Sequence, residues 1–153
     1  MTENATVFIV DDSDAVRTAM SRLLRSADLP VAEFADAEAF LRSGGCDEPG
    51  CLLLDVSLPG LTGLELQRVL TDRHSLLPIV FLTGHGDVGM SVQAMKSGAV
   101  DFLTKPVDPE RLIEAVSAAI ARNRAARAAH AVTADILQRL ATLTPREREV
   151  LPL

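Results

Sequence analysis

Three aspartates, a threonine and a lysine stand where phosphoryl chemistry could be built from them. Asp11 and Asp12 lie side by side directly after the apolar run VFIV, Asp55 closes CLLLD, Thr83 closes IVFLT, and Lys105 follows VDFLT. Any one acid after a strand reads equally as a helix cap or a solvated loop. All of them gathered at one place need another account. Clustered carboxylates repel by on the order of 1 kcal/mol per pair in water and by more in a cleft, so they call for a compensating cation. Oxygen donors select a hard one. Mg²⁺ fits best, because it accepts one or two carboxylates, keeps several waters and leaves room for a phosphoryl oxygen. Lys105 and the Thr83 hydroxyl can then hold the other oxygens of a transferred group, with Asp55 as the nucleophile.

The elements that must position these residues follow from hydrophobic patterning. VFIV (7–10), VAEF (31–34), CLLL (51–54), IVFL (79–82) and VDFL (100–103) predict five strands, mostly apolar on both faces as in a covered parallel sheet. Between them, helical spacing places Val16, Met20, Leu23, Leu24 and Ala27 on one face, then Leu64, Val69 and Leu70, then Val88, Val92 and Met95, then Leu112, Ile113, Val116 and Ile120. A weaker helix fits residues 36–42. Alternating strands and helices imply right-handed parallel crossovers, hence a doubly wound three-layer α/β sandwich. Function in such folds sits beyond the carboxyl ends of the strands, where Asp11, Asp12, Asp55, Thr83 and Lys105 all fall.

Composition narrows the function classes. The 153 residues are 48% hydrophobic but 3% aromatic, without Trp or Tyr, which suits one domain with an aliphatic core. A net charge of −6 argues against nucleic acid or an anionic membrane as the fold's main partner. The N-terminus lacks a basic leader, and no apolar run approaches the roughly 18 residues of a membrane span, so a soluble cytoplasmic protein is expected. Cys46 and Cys51 have no metal-type spacing and are expected to be reduced, partly buried thiols without a role.

The double acid after the first strand, the lone Asp in LLLDVSLPGLTGLEL, and the segment PIVFLTGHGDVGMSVQAMKSGAVDFLTKP resemble the receiver domains of two-component response regulators, most nearly the FixJ-like subgroup with a LuxR-type DNA-binding domain. The resemblance covers residues 6 to about 120. It implies a flavodoxin-like sandwich of five parallel strands in the order 2-1-3-4-5, with a C-terminal helical extension. It also implies a sensor histidine kinase as partner and Mg²⁺ as cofactor. Asp55 is similar to the phosphoacceptor, Asp11 and Asp12 to the metal-binding acids, and the backbone carbonyl of Ser57 to the group that completes the metal shell. Lys105 resembles the cation that pairs with the phosphoryl group, Thr83 and Phe102 the switch pair, and the Lys105–Pro106 bond a cis peptide. On phosphorylation such a chain is expected to form a homodimer through the fourth helix, fifth strand and fifth helix.

Residues 1–122 are accordingly read as the receiver and residues 123–143 as a helical linker, with Val132, Ile136, Leu137, Leu140 and Leu143 on one face and Arg122, Arg124 and Arg127 near its start. Residues 144–153, with Thr144, Pro145 and Glu147 as a capping box, resemble the truncated start of a helix-turn-helix output domain. Such a motif reads DNA with its second helix, so the chain as given is expected not to bind DNA specifically. Three other classes remain. A haloacid-dehalogenase-like Mg²⁺ phosphatase usually places a second acid two residues after the nucleophile, where this chain has Ser57. A nucleotide or flavin binder would carry a phosphate-binding loop where this chain has DDSDAV. The third is a regulator that binds DNA in its own right.

Overall fold

The computed structural model describes residues 5–84 and 88–141. Five strands, β1 (Thr6–Val10), β2 (Val31–Phe34), β3 (Gly50–Asp55), β4 (Ile79–Thr83) and β5 (Asp101–Thr104), alternate with α1 (Asp14–Ser26), α2 (Ala37–Ser43), α3 (Gly63–Asp72), α4 (Val88–Lys96) and α5 (Pro109–Ala141). All strands are parallel, in the order β2-β1-β3-β4-β5. This is the flavodoxin-like arrangement expected.

Strand periodicity divides the core in two. Phe8, Val10, Leu52, Leu54 and Phe81 point to one face and pack against Ala37 and Phe40 of α2, Leu66 and Leu70 of α3, and Ala94 of α4. Their neighbours Val7, Ile9, Cys51, Leu53, Val80 and Leu82 point to the other, against Met20 and Leu24 of α1 and Leu112, Val116 and Ile120 of α5. Every residue of β3 is buried, which is why that central strand reads as an unbroken apolar run. Both cysteines are free and buried.

Helix caps mark where the chain turns back. Ser13 accepts from the Val16 amide at the start of α1 and Asp36 from the Ala39 amide at the start of α2. Thr62 and Glu65 form a reciprocal capping box on α3, and those hydrogen bonds hold the Glu65 carboxyl below its ordinary pKa.

The fourth helix corrects the expected pattern. Val92 and Met95 are 46% and 45% exposed, and the side that faces the sheet carries Ala94 and Met90 instead. A helix of nine residues offers two rival stripes, and the small Ala94 side chain lets the backbone approach closely enough for Gln67 Nε2 to donate to the Ala94 carbonyl at 3.0 Å.

The fifth helix runs unbroken for 33 residues, about 50 Å at 1.5 Å per residue. Asn123 is 1% exposed; its Oδ1 accepts from the Gly50 amide and its Nδ2 donates to the Leu76 carbonyl, both at 3.0 Å. One turn on, Arg127 donates to the Asp47 carbonyl at 3.3 Å. Arg122 and Arg124 are exposed, as are Val132, Ile136, Leu137 and Leu140. Leu143 and the capping box expected at Thr144, Pro145 and Glu147 lie outside the described residues. Among the described residues, no helix is long and apolar enough to cross a membrane.

Candidate functional site

The carboxyl ends of β1 and β3 place their acids side by side because the two strands are hydrogen-bonded neighbours, with Val10 opposite Leu54. One carboxylate oxygen from each of Asp11, Asp12 and Asp55 lies within 4.8 Å of the others. Asp11 is fully buried and Asp55 nearly so, whereas Asp12 is exposed at the mouth. Each buried acid has one oxygen held by the main chain: Asp11 Oδ1 accepts from the Ser13 amide at 2.9 Å, and Asp55 Oδ1 from the Ser57 amide at 3.0 Å.

The second oxygens share a lysine. Lys105 Nζ donates to Asp11 Oδ2 at 2.7 Å and to Asp55 Oδ2 at 3.3 Å. Burial pulls the Lys105 ammonium down, but the hydrogen bonds and charges of Asp11 and Asp55 outweigh it and hold its pKa above the ordinary value. The lysine is placed by the backbone, since its own amide donates to the Thr83 carbonyl at 2.7 Å; the Lys105–Pro106 bond is cis. Three carboxylates against this one ammonium leave an excess of negative charge. An all-oxygen donor set with that excess suits a hard divalent cation such as Mg²⁺.

Thr83 ends β4 and is buried. Asp55 pairs with Leu82, so Thr83 stands one residue further out on the adjacent strand. Phe81 and Phe102 are cross-strand partners with ring centroids 6.1 Å apart, and Thr83 shares the Phe81 face by alternation, which makes Phe102 its diagonal neighbour. Ser57 is exposed beside Asp55 and contributes the amide described above.

Two residues of the site, and one at the far end of the sheet, escaped sequence reading. Gly63 opens α3 so close to β3 that a Cβ there would meet the Asp55 carbonyl oxygen at 2.5 Å. Arg17, one turn into α1, donates to the Asp11 carbonyl and pairs with Asp14. The spacing of Asp14 and Arg17 was its only signal in the sequence. At the opposite end of β3, Asn123 gave no signal, because a polar residue in a helix is ordinarily solvated.

A cleft of about 630 Å³ adjoins Lys105, between α1 and the turn that leads into α5. Val16, Met20, Leu23, Pro106, Val107 and Leu112 line it, which makes it mainly apolar.

Comparison with known proteins gives the family. A family model described as the response regulator receiver domain matches residues 7–117. Nodulation protein W of Bradyrhizobium diazoefficiens is 45% identical over 149 residues, which cover 97% of this chain and 66% of that protein. The transcriptional regulatory protein FixJ of the same organism is 43% identical over 151 residues, or 99% of this chain and 74% of the relative. The solved structure of the response regulator StyR superposes with a TM-score of 0.89 at 42% identity, over 95% of this chain and 74% of that one. The chain therefore spans between 66% and 74% of the length of these relatives. With a match that runs from the first strand into the last helix, the chain belongs to the receiver domain family of two-component response regulators.

Proposed function

We propose that this chain accepts a phosphoryl group on Asp55 from a sensor histidine kinase and converts that event into a change at the face formed by α4, β5 and α5. It acts as a phosphoacceptor signalling protein in the cytoplasm, not as an enzyme with a separate substrate. The observation that carries this reading is the convergence of Asp11, Asp12 and Asp55 within 4.8 Å, with Lys105 bridging the two buried acids.

Asp55 supplies the nucleophile. A carboxylate oxygen attacks the phosphorus of a phosphohistidine, a P–O bond forms as the P–N bond breaks, and the departing imidazole takes a proton. The Ser57 amide at Oδ1 fixes the carboxylate for that approach. Asp11, Asp12, Asp55 and the Ser57 carbonyl are the groups to hold Mg²⁺, which when bound would neutralise charge on the transferred phosphoryl oxygens. Lys105 already touches Asp55, so a short swing brings its ammonium to a phosphoryl oxygen. The apolar cleft beside Lys105 is a surface on which a phosphodonor helix can lie without covering Asp55.

The same charge event reaches the surface through Thr83. When its hydroxyl turns to a phosphoryl oxygen, the volume it leaves is adjacent to the Phe102 ring, whose inward movement repacks β5 against α4. Val92 and Met95, exposed on α4, give that face the apolar surface for a two-fold homodimer. In this reading the receiver is residues 1–122, residues 123–143 are the linker, and residues 144–153 belong to an output domain. Transcription regulation is the output, in line with the relatives named as transcriptional regulators.

A low-molecular-weight phosphodonor with Mg²⁺ should add one phosphoryl group by intact-mass measurement, and Asp55→Asn should show none. Undiminished modification of that variant would reject the assignment.

A further inference from the structure

Arg17 is the one cation besides Lys105 that is bound to the acid-bearing loop among the described residues, and nothing in the phosphoryl transfer above uses it. Its side chain is 13% exposed although it starts from the first turns of a surface helix. The guanidinium lies back over the β1–α1 connection, where Nη1 donates to the main-chain carbonyl of Asp11 and Nη2 pairs with Asp14. Nε stands 4.0 Å from Glu33 Oε1 on the edge strand β2. One planar group thus ties together the end of β1, the start of α1 and the neighbouring strand. The tied peptide is the one between Asp11 and Asp12.

We propose that Arg17 is a positioning residue of the acid cluster: by holding the Asp11 carbonyl, it fixes the peptide on which the two metal-binding carboxylates are mounted. The proposal rests on the reading of the cluster as a Mg²⁺ site. Asp11 is further restrained by the Ser13 amide and Lys105, and its own amide donates to the Phe34 carbonyl at 3.2 Å. Asp12 is exposed, and among the described residues no hydrogen bond or ion pair holds its carboxylate. Its placement depends on the peptide before it, so loss of the Arg17 tether acts mainly on Asp12. A guanidinium suits the task because its fixed fork engages a carbonyl and a carboxylate at once, whereas an ammonium is a single point charge.

Charge and geometry predict opposite signs here, which makes the proposal decidable. Removing a cation near a divalent metal site relieves repulsion and, by Coulomb's law alone, tightens Mg²⁺ binding. Removing a tether that orders a ligand loosens it, on the order of tenfold for groups that orient metal ligands. The full chain and its Arg17→Gln and Arg17→Lys variants should be titrated with Mg²⁺ by calorimetry at constant ionic strength, with circular dichroism to establish that each is folded. The expected result is a roughly tenfold weaker Kd in Arg17→Gln. Arg17→Lys, which restores the charge but not the fork, should remain weaker than wild type. In Asp12→Ala, the further substitution Arg17→Gln should have no added effect, because the ligand it positions is gone. Equal or tighter Mg²⁺ binding in Arg17→Gln, with wild type binding normally, would overturn the role of Arg17 alone. Absence of Mg²⁺ binding by wild type would instead overturn the proposed function, and the Arg17 role with it.

Discussion

Replacing Asn123 by alanine removes two hydrogen bonds that join the long helix to the base of the sheet, and the cost can be worked from their geometry. The side chain is 1% exposed and accepts from Gly50 while donating to Leu76, each at 3.0 Å. The bond to the partly buried Leu76 carbonyl is worth about 1 kcal/mol net, and leaving the buried Gly50 amide without a partner costs about 1–3 kcal/mol. Gly50 cannot escape the deficit by shifting, because its φ of +143° sets it so close to β1 that a Cβ there would lie 1.9 Å from the Thr6 carbonyl oxygen. The expected loss is about 2–4 kcal/mol, a large share of the roughly 5–15 kcal/mol that holds a domain folded. At about 2–4 °C per kcal/mol, the melting midpoint should fall by about 5–15 °C. The chain has neither Trp nor Tyr, so urea unfolding should be followed by circular dichroism, with hydrogen exchange read at the Gly50 amide. A loss below about 1 kcal/mol with Gly50 still protected would refute the reasoning, since it would mean that water replaces the asparagine at no cost.

Three further outcomes are expected. Lys105→Met leaves the buried Asp11 and Asp55 without their ammonium, so the metal-free protein should lose about 2–4 kcal/mol, and millimolar Mg²⁺ should raise its melting midpoint more than that of wild type; an equal or smaller response would count against the shared site. At high pH the signs agree: the Lys105 pKa is raised, so its contribution is complete below the ordinary lysine range and fades above it, while burial pushes the Cys51 thiol up to about 12, so the unfolded chain ionises first between about pH 9 and 12. Urea midpoints should therefore fall over that window and fall less steeply in Cys51→Ala, and a profile with identical slopes would exclude the thiol as a cause. Thr83→Ala should still accept a phosphoryl group on Asp55 yet lose the exchange response of α4 and β5, and a response equal to that of wild type would disconnect the hydroxyl from the switch.

Much of this was legible in the linear chain because it depends on short-range patterning. A central parallel strand is covered on both faces, so β3 shows as consecutive apolar residues and the acid that ends it stands out. The chain must turn at each strand end, and that alone brings Asp11, Asp12, Asp55, Thr83 and Lys105 to one edge of the sheet. Tertiary structure decided what depends on contact between distant segments. Which side of α4 faces inward was set by how near Ala94 lets the helix lie to the sheet, and two apolar stripes in a nine-residue helix do not reveal that. That Lys105 binds Asp11 and Asp55 in the resting protein depends on residues 94 and 50 positions away. Asn123 and Arg17 are ordinary surface residue types, and only burial against Gly50, Leu76 and the Asp11 carbonyl makes them structural, because a polar group taken out of water must find its partners wherever the fold has put them.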